Sequence, residues 1–394
     1  MVREFLIELY LLLFKIQFNF FNLFPLKEKV TFVVSFKDNG LFVYNEMKKK
    51  QIPCKIVFLC EKSSYSEIKK NVDSEVLLFE IKNFKNFIKS IYHLATSKHI
   101  IVDNYFGFLA AINFKDEVEC IQLWHAAGAI KTFGLKDKSV SFRSNHANIR
   151  FQRVYNKFEK IIVGSDEMAE IFKEAFNISE NNILYTGIPR TDLFYNENYQ
   201  NLIREELLGK NPLFKHKKVI FYVPTFRDGS LNDFELHLDL DQLYRELSKE
   251  YVVIIKLHPA ITNKLMINKK FDNFVFDFSS YSNVNDLLFI TDYLITDYSS
   301  IPYEFSLLEK PMIFYPYDLE EYQQQRGFWG PYEKLVPGPI AYETQDIIKI
   351  IKNDQFDYEQ IRTFAKTWNK YSKGTSSENI VNCLFNKKSF MKQN

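Results

Sequence analysis

One stretch decides the fold of this chain: residues 286–305, DLLFITDYLITDYSSIPYEF. Its segment 293–295 is short and wholly apolar, which is typical of a strand buried on both faces of a parallel sheet. The polar segment 296–300 then turns the chain, and the pattern predicts a helix over 301–308. A second apolar strand is predicted at 311–315. The stretch therefore reads as strand, polar turn, helix and strand.

Two hydroxyl side chains, those of Ser299 and Ser300, stand at the start of the predicted helix. The first N–H groups of a helix lack intrahelical partners and carry partial positive charge, so they receive phosphate oxygens well. Ligands of open α/β sheets also bind beyond the carboxyl ends of the strands. Two interpretations stay open: the serines only cap the helix, or the turn binds a phosphate. Glu304 likewise either complements the helix dipole or hydrogen-bonds ligand hydroxyls.

The composition is that of a folded protein with little net charge. The chain has 394 residues, of which 46% are hydrophobic and 25% charged, so it is long enough for two domains with ordinary cores. Its 51 basic and 49 acidic side chains give a formal charge of +2, which is not the footprint of a nucleic-acid-binding protein. The four cysteines lack metal-ligand spacing, and no acidic cluster has such spacing either. Neither a metal nor a cofactor is predicted.

The N-terminal segment is strongly apolar over residues 5–24 but is interrupted by polar side chains. These are Glu8, Lys15, Gln17, Asn19 and Asn22. A transmembrane helix seldom holds that many polar groups. A helix lying in the membrane interface fits the composition, and burial against the first domain is the alternative. Both interpretations stay open from these residues, and if the substrate is a membrane lipid we expect peripheral attachment to the cytoplasmic side of the cell membrane.

Strands and helices alternate along the rest of the chain, which predicts an α/β protein with doubly wound parallel sheets. A polar stretch from about Asn196 to Lys218 separates two halves of similar architecture. The sequence therefore predicts two doubly wound α/β domains that face each other across a cleft. The predicted parts are a membrane-associating segment at 1–24, an N-terminal domain at 25–198 and a C-terminal domain at 199–394.

Four loops carry polar side chains directly after predicted strands: 123–134, 186–192, 222–228 and 255–259. His125 follows the first of these strands and precedes several small residues, so its imidazole can be presented to a ligand. Histidine suits general-base catalysis because its pKa lies near neutrality. The alternative is a histidine that is hydrogen-bonded for structural reasons alone.

The other loops each have a structural alternative as well. Arg190 either offers its planar guanidinium to a phosphate or forms a surface ion pair with Asp192. In the third loop, Arg227 and Asp228 can simply pair with each other. Lys256, beside the second strand-end histidine, either contacts a ligand or leaves the sheet into solvent. Each loop alone is weak evidence, but four in order are hard to explain by packing.

These loops together resemble the CDP-glycerol glycerophosphotransferase family, whose members make wall teichoic acid and capsule polymers in bacteria. The resemblance runs from about residue 30 to residue 371. It rests on residues 122–134, 185–192, 223–228, 256–259, 295–300, 314–322, 326–328 and 337–339. It implies a GT-B type fold of two Rossmann-like domains, membrane association and no metal requirement. The N-terminal domain would then receive the acceptor and the C-terminal domain would bind CDP-glycerol.

Carried onto this sequence, the resemblance implies roles for individual residues. His125 is the implied general base, and His258 is a second catalytic residue that steadies charge on the phosphates. The implied substrate-binding residues are Trp124, Ala126, Ala127, Gly128, Arg190, Pro224, Thr225, Lys256, Leu257, Ser299, Ser300, Glu304 and Arg326. Glu304 stands where many members have aspartate.

The implied reaction is attack of an acceptor hydroxyl on the glycerol-bearing phosphorus of CDP-glycerol, with CMP as the leaving group. Many polymerising members have His-Gly-Thr where this chain has residues 125–127 as His-Ala-Ala. That form resembles the priming enzymes, which add one glycerol phosphate to an undecaprenyl diphosphate-linked disaccharide at the inner leaflet. The alternatives are a polymerase of glycerol or ribitol phosphate chains, a nucleotide-sugar glycosyltransferase of the same fold, and a catalytically inactive membrane scaffold. Nucleic acid is not an expected partner, and homo-oligomerisation stays open.

Overall fold

The computed structural model describes residues 2–227, 234–261 and 265–385. The chain forms two compact units, each of which contains one parallel sheet. The first unit comprises Met1–Ala127, Phe133–Asp192 and Lys370–Asn394, and the second comprises Gly128–Thr132 and Leu193–Asn369. The predicted α/β class with parallel sheets is confirmed.

The sheet of the first unit has seven parallel strands among the described residues. They are β1 Lys27–Val34, β2 Lys55–Cys60, β3 Glu75–Leu78, β4 Ser97–Val102, β5 Glu119–Gln122, β6 Lys160–Ile162 and β7 Ile183–Leu184. Their order across the sheet is β3-β2-β1-β4-β5-β6-β7. Strands β1, β2 and β4 are buried over most of their length, as expected for strands covered on both faces.

Six helices of the first unit precede or lie between these strands. They are α1 Val2–Phe21, α2 Asp38–Lys49, α3 Lys62–Asn71, α4 Phe84–Ala95, α5 Asn145–Tyr155 and α6 Asp166–Phe176. Hydroxyl side chains cap two of them, since Ser144 accepts the N–H of Ala147 at the start of α5 and Ser165 accepts that of Met168 at the start of α6. These caps set where both helices begin.

Helix α1 has two apolar faces. On one face, Phe14 and Phe18 are 1% and 0% exposed, and the Phe14 ring stacks on Phe108 at 5.1 Å between centroids. The other face is exposed and consists of Val2, Phe5, Leu6, Leu9, Leu12, Leu13, Ile16 and Phe20. The burial alternative is therefore correct for the first face only, and the second face is the one available to a membrane interface.

No helix within the described ranges has the length and apolar character needed to cross a membrane.

The second unit contains residues 286–305. Its strands are β8 Lys218–Val223, β9 Tyr251–Ile255, β10 Val275–Asp277, β11 Tyr293–Thr296 and β12 Met312–Phe314. They run parallel in the order β10-β9-β8-β11-β12. Strands β11 and β12 confirm the two strands predicted at 293–295 and 311–315, and they are neighbours in the sheet.

The helices of this unit are α7 Glu197–Lys210, α8 Leu240–Leu247, α9 Val284–Ile290, α10 Ile301–Phe305, α11 Leu319–Arg326, α12 Tyr332–Leu335, α13 Thr344–Lys352 and α14 Tyr358–Trp368. Helix α10 is shorter than the predicted helix at 301–308. Its last part tightens into a 3-10 turn at Ser306–Leu308, where the Ser306 hydroxyl donates to the Tyr303 carbonyl at 2.8 Å. Helix α7 fills much of the polar stretch at 196–218.

The last helix, α15 Ser376–Phe385, returns to the first unit. The carboxylate of Asp192 accepts the N–H groups of Ser376 and Ser377, each at 2.8 Å. A carboxylate at this position satisfies unpaired N–H groups and complements the helix dipole. Asp192 therefore has a structural role in fixing the end of the chain on the first unit.

Candidate active site

The chain turns sharply between β5 and His125. Strand β5 ends at Gln122, and Trp124, two residues further on, adopts the left-handed conformation with φ of +54°. A side chain other than glycine is uncommon there and must be held by its surroundings. The buried amide of Gln122 accepts the Trp124 N–H at 2.8 Å. This turn carries His125 beyond the carboxyl end of the strand.

A hydrogen bond to a backbone carbonyl and stacking on two aromatic rings hold the imidazole of His125 in place. Nδ1 lies 3.2 Å from the carbonyl oxygen of Asp103, and the ring stacks on Phe36 and on Trp124, each at 4.4 Å between centroids. A carbonyl oxygen only accepts, so Nδ1 carries the proton and Nε2 carries the lone pair in the neutral ring. That tautomer is the one a general base acting through Nε2 requires.

Asp103, at the end of β4, organises this corner of the first unit. Its carboxylate is 2% exposed and accepts the N–H groups of Ser35 at 2.9 Å and Phe36 at 2.8 Å. Burial raises the pKa of Asp103 to about 8, although these two N–H bonds act in the opposite direction. Asp103 thus positions Phe36 through its side-chain oxygens and His125 through its backbone carbonyl.

The structure brings Arg190 to the His125 turn. Its Nη1 donates to the His125 carbonyl at 2.7 Å, and its backbone N–H donates to Oδ1 of Asn39 at 3.1 Å. Asn39 is 3% exposed, and its Nδ2 donates to the Trp124 carbonyl at 2.9 Å. The buried amide therefore joins the two loops. Asn39 was not predicted, because nothing local in the sequence connects helix α2 to either loop.

In the second unit, the two serines of the deciding stretch differ in what they bind. Ser299 Oγ accepts the N–H of Ile301 at 3.2 Å, which is the capping role. Ser300 occupies the residue before α10, and its side chain forms no cap bond among the described residues. Glu304 is 1% exposed, so its carboxylate lies inside this unit. The capping interpretation accounts for Ser299 and leaves the Ser300 hydroxyl available for a ligand.

Arg227 is committed to structure within the second unit. It binds Asp318 through Nε at 2.7 Å and Nη2 at 2.8 Å, and Nη2 also binds Asp297 at 3.0 Å. Its guanidinium also lies within 5.1 Å of the ring centroids of Tyr298, Tyr317 and Tyr322. This cation fixes the loop after β8 to the turn after β11 and to the start of α11. The predicted partner Asp228 lies outside the described residues.

Pro224 and Thr225 lie in the loop that Arg227 holds. The backbone N–H of Thr225 donates to Asp297 at 2.8 Å, and Asp297 is 1% exposed. The Thr225 hydroxyl is itself buried and has no hydrogen-bond partner in the described part of the chain. A buried hydroxyl without a partner costs about 1–3 kcal/mol, so such a group is a candidate to bind a ligand.

His258 is held in the opposite tautomer to His125. Its Nδ1 accepts the N–H of Ala260 at 3.1 Å, so the neutral ring carries its proton on Nε2. The ring packs on Phe226 at 4.4 Å between centroids. Partial burial lowers the pKa of His258, and the charges of Lys131 and Lys256 lower it further. His258 therefore presents an N–H donor near neutral pH, which suits a phosphate oxygen.

Lys256 does not leave the sheet into solvent, and this alternative was wrong. The side chain is largely buried, and its ammonium donates to the carbonyl oxygens of Tyr281 at 2.6 Å and Ser279 at 3.3 Å. The N–H of Leu257 donates to Ser279 Oγ at 3.1 Å. Both residues thus fix the His258 loop against the segment after β10.

A short segment after His125 belongs to the second unit. A Cβ atom on Gly128 would lie 2.3 Å from the Tyr303 ring, so only glycine fits there. The Thr132 hydroxyl donates to the Arg326 carbonyl at 2.8 Å, which places Arg326 beside this segment. Lys131 was not among the predicted site residues. A single lysine within a loop gives no sequence signal that separates it from a surface residue.

The predicted site residues thus fall into two groups. The first unit holds Trp124, His125, Ala126, Ala127 and Arg190. The second unit holds Gly128, Pro224, Thr225, Lys256, Leu257, His258, Ser299, Ser300, Glu304 and Arg326. Within the ranges that the structure describes, no group of three or more His, Cys, Asp or Glu side chains is arranged to hold a metal ion.

Comparison with known proteins relates these features to a family. Residues 16–386 match the family described as CDP-Glycerol:Poly(glycerophosphate) glycerophosphotransferase. The chain is 40% identical over 362 residues to the teichoic acid glycerol-phosphate primase of Bacillus subtilis (strain 168), covering 91% of this chain and 92% of that protein. It is 34% identical to the teichoic acid poly(ribitol-phosphate) polymerase of Bacillus spizizenii, over 94% of this chain and 58% of that protein.

The solved structure of the wall teichoic acid polymerase TagF is also similar. It matches with a TM-score of 0.79 and 26% identity, and the match covers 100% of both chains. This similarity confirms the predicted fold of two Rossmann-like domains. The chain therefore belongs to the CDP-glycerol:poly(glycerophosphate) glycerophosphotransferase family and is a glycerophosphotransferase of teichoic acid biosynthesis.

Proposed function

We propose that this protein is a primase that transfers one glycerol phosphate from CDP-glycerol to an undecaprenyl diphosphate-linked disaccharide and releases CMP. Similarity to two Bacillus glycerol-phosphate primases, at 40% and 35% identity, supports the choice of reaction. A TagF variant soaked with CDPG is 26% identical to this chain, with a TM-score of 0.79, which supports the choice of donor. The His-Ala-Ala form of residues 125–127 supports priming over polymerisation.

The orientation of His125 is the observation that carries this proposal. With Nδ1 bound to the Asp103 carbonyl, Nε2 is the atom that takes the proton of the acceptor hydroxyl. The hydroxyl oxygen then forms a bond to the glycerol-bearing phosphorus, and the bond from that phosphorus to the oxygen of CMP breaks. Stacking on Phe36 and Trp124 keeps the imidazole in place, so orienting it costs little during the reaction.

The groups proposed to bind the donor phosphates are cations and hydrogen-bond donors. They are His258 through Nε2–H, the guanidinium of Arg190, and the hydroxyls of Thr225 and Ser300. Charge moves onto the departing CMP during transfer, and a fixed donor aimed at such charge is typically worth about 10²–10³ in rate. The unsatisfied Thr225 hydroxyl and the uncapped Ser300 support their inclusion.

The proposed acceptor is a membrane lipid, so the enzyme has to work at the surface of the inner leaflet. The exposed apolar face of α1 supports peripheral attachment there, because a helix of this kind buries such a face at the boundary between head groups and acyl chains. Lys15 and Lys27 lie in or just after this helix and would favour anionic head groups.

The test is incubation of the purified protein with the undecaprenyl diphosphate-linked disaccharide and either CDP-glycerol or CDP-ribitol, with products sized by mass spectrometry. We expect a single added glycerol phosphate and release of CMP. A ladder of products would identify a polymerase, and transfer from CDP-ribitol alone would identify a ribitol enzyme. Transfer from a nucleotide-sugar but from neither CDP donor would replace this proposal with a glycosyltransferase.

A further inference from the structure

A pocket of about 630 Å³ lies within the first unit and is lined by none of the predicted site residues. Helix α1 forms one wall, helix α5 forms another, and the 3-10 turn at Gly107–Ala111 contributes to the third. None of the residues that resemble the family motifs lines it. The pocket therefore needs an explanation of its own.

The lining is strongly cationic. It contains four basic side chains, Lys15, Arg150, Arg153 and Lys157, against the single carboxylate of Glu8. Residues 150, 153 and 157 follow one another on one side of α5 and its C-terminal extension, as the helical repeat requires. The adjoining side of α5 is buried through Ala147, Val154 and Tyr155. Helix α5 thus presents a positively charged surface to the pocket.

Two of these cations are already used within the protein. Arg150 Nη1 binds the carboxylates of Glu4 at 3.1 Å and Glu8 at 3.4 Å, which fastens α1 to α5. Lys157 Nζ donates to Asn113 Oδ1 at 2.7 Å. Lys15 and Arg153 are both exposed and provide the charge that an entering anion would meet first.

The pocket is continuous with the exposed apolar face of α1. Leu12 is 53% exposed and belongs both to the pocket lining and to that face. Ile16, one turn further along α1, is 58% exposed, and Ile149 on the α5 side of the pocket is 52% exposed. A ligand that fits has a compact anionic group joined to a long hydrocarbon chain. That is the chemistry of a lipid phosphate.

We propose that this pocket binds the diphosphate of the lipid-linked acceptor, with the polyprenyl chain lying along the exposed apolar face of α1. This inference rests on the proposed function. The four cations of the lining are offset by two carboxylates, Glu8 of the lining and Glu4, which also pairs with Arg150. The excess of two positive charges suits a diphosphate better than the single phosphate of an ordinary phospholipid. The 3-10 turn of the pocket follows closely after Asp103, whose carbonyl orients His125. One short segment of the chain therefore contributes both to the proposed diphosphate pocket and to the orientation of His125.

The experiment measures binding of the full chain to phosphatidylcholine vesicles that contain undecaprenyl diphosphate. The test variant is Lys15→Gln/Arg153→Gln, which leaves the Arg150 ion pairs intact. The control variant is Lys62→Gln/Lys70→Gln, which removes the same charge from exposed lysines of α3 outside the pocket. We expect the test variant to bind these vesicles about tenfold more weakly or worse, and the control variant to bind like wild type.

A second set of vesicles distinguishes the diphosphate from general negative charge. These vesicles contain phosphatidylglycerol at the same total charge, and on them we expect the test variant to lose far less. If the test variant lost equal binding to both sets of vesicles, the pocket would bind any anionic membrane. If it lost no binding to either set, the pocket would bind no lipid phosphate. Either outcome overturns the proposal. Melting temperatures should agree among the three proteins, since all four side chains are exposed.

No CDP-glycerol is present in this assay, so its result is independent of whether glycerol phosphate is transferred. Failure of the proposed function would appear separately, as absence of CMP release by the wild-type protein.

Discussion

The carbonyl of Asp103 accepts a hydrogen bond from Nδ1 of His125, whereas Nδ1 of His258 accepts one from the N–H of Ala260. The two neutral rings therefore differ at Nε2, which is an acceptor in His125 and a donor in His258. A general base needs the first arrangement, and a group that steadies phosphate charge needs the second. This difference gives the two histidines separate roles, and substitutions can test each role.

His125→Ala should lower turnover by about 10²–10⁴-fold, which is the usual contribution of a general base, while the Kd for CDP-glycerol changes little. The measurements are the steady-state rate of CMP release and equilibrium binding of the donor. His216→Ala is the control, because His216 is exposed and is not among the predicted site residues. Turnover near that of wild type would remove His125 from the mechanism.

At position 258 a glutamine should partly replace histidine, because its amide N–H₂ group still donates a hydrogen bond. We expect His258→Ala to lower kcat by about 10²–10³-fold and His258→Gln to recover part of that loss. The same replacement at position 125 should recover nothing, since an amide cannot take up the hydroxyl proton. If glutamine were no better than alanine at 258, donation from Nε2 would not be the role of this residue.

The sequence could locate both histidines but not the groups that orient them. An apolar run followed by a polar loop marks a strand end, so His125 and His258 were recognisable from their immediate neighbours. Asn39 lies in α2 and contacts the His125 turn only after β1, β4 and β5 have paired. Its role depends on tertiary packing, for which a single sequence carries no local signal.

At the scale of the element, α1 fits both interpretations of its sequence, burial against the first domain and contact with a membrane interface. Its apolar residues exceed what one buried face needs, and the excess lies on a second, exposed face. The polar residues Glu4 and Glu8 lie between the two faces and bind Arg150. Deleting the segment would therefore remove core residues such as Phe14 together with the exposed face. Point substitutions can test the buried face and the exposed face separately.

Phe5→Gln/Leu9→Gln/Ile16→Gln should abolish binding to anionic vesicles because it removes apolar surface that enters the interface. The free energy of unfolding should change by only about 0.5 kcal/mol per site, as is usual for surface positions. Vesicle co-sedimentation and urea denaturation measure the two effects.

Phe14→Ala is the contrasting variant, and it should cost about 3–5 kcal/mol of unfolding free energy because Phe14 is 1% exposed. Retained vesicle binding by the triple variant would show that another surface attaches the protein to the membrane.

The cluster around Arg227 is a second element-scale feature, since one guanidinium joins three loops of the second unit. Arg227→Leu should lower the free energy of unfolding by about 3–5 kcal/mol, because it leaves the buried Asp297 and the partly buried Asp318 without their cation. Arg362→Leu is the matched control: its ion pair with Glu359 is exposed and worth about 0–1 kcal/mol. Equal effects from the two variants, measured by urea denaturation, would contradict this assignment.

At the scale of the molecule, the alternation of apolar runs and polar loops was enough to predict two parallel α/β domains. Parallel strands are buried on both faces, and their continuous apolar runs are easily recognised. The short or polar elements were harder to predict from the sequence. Strand β3 has only one buried residue, and α7 has few apolar positions within a charged stretch. Such elements are stabilised by what they pack against, and their own residues give weak patterns.

At the scale of the molecule, the charge of the bound donor also has to be neutralised. CDP-glycerol brings a diphosphate, and its charge has to be balanced by a metal ion or by the protein. We expect the guanidinium of Arg190 to balance it, with the charge of Lys131 in support, while the Nε2–H of neutral His258 donates a hydrogen bond to a phosphate oxygen. Turnover in EDTA should then equal turnover in buffer with magnesium. Complete loss in EDTA, restored by added magnesium, would show that a metal ion carries this charge and that these side chains do not suffice.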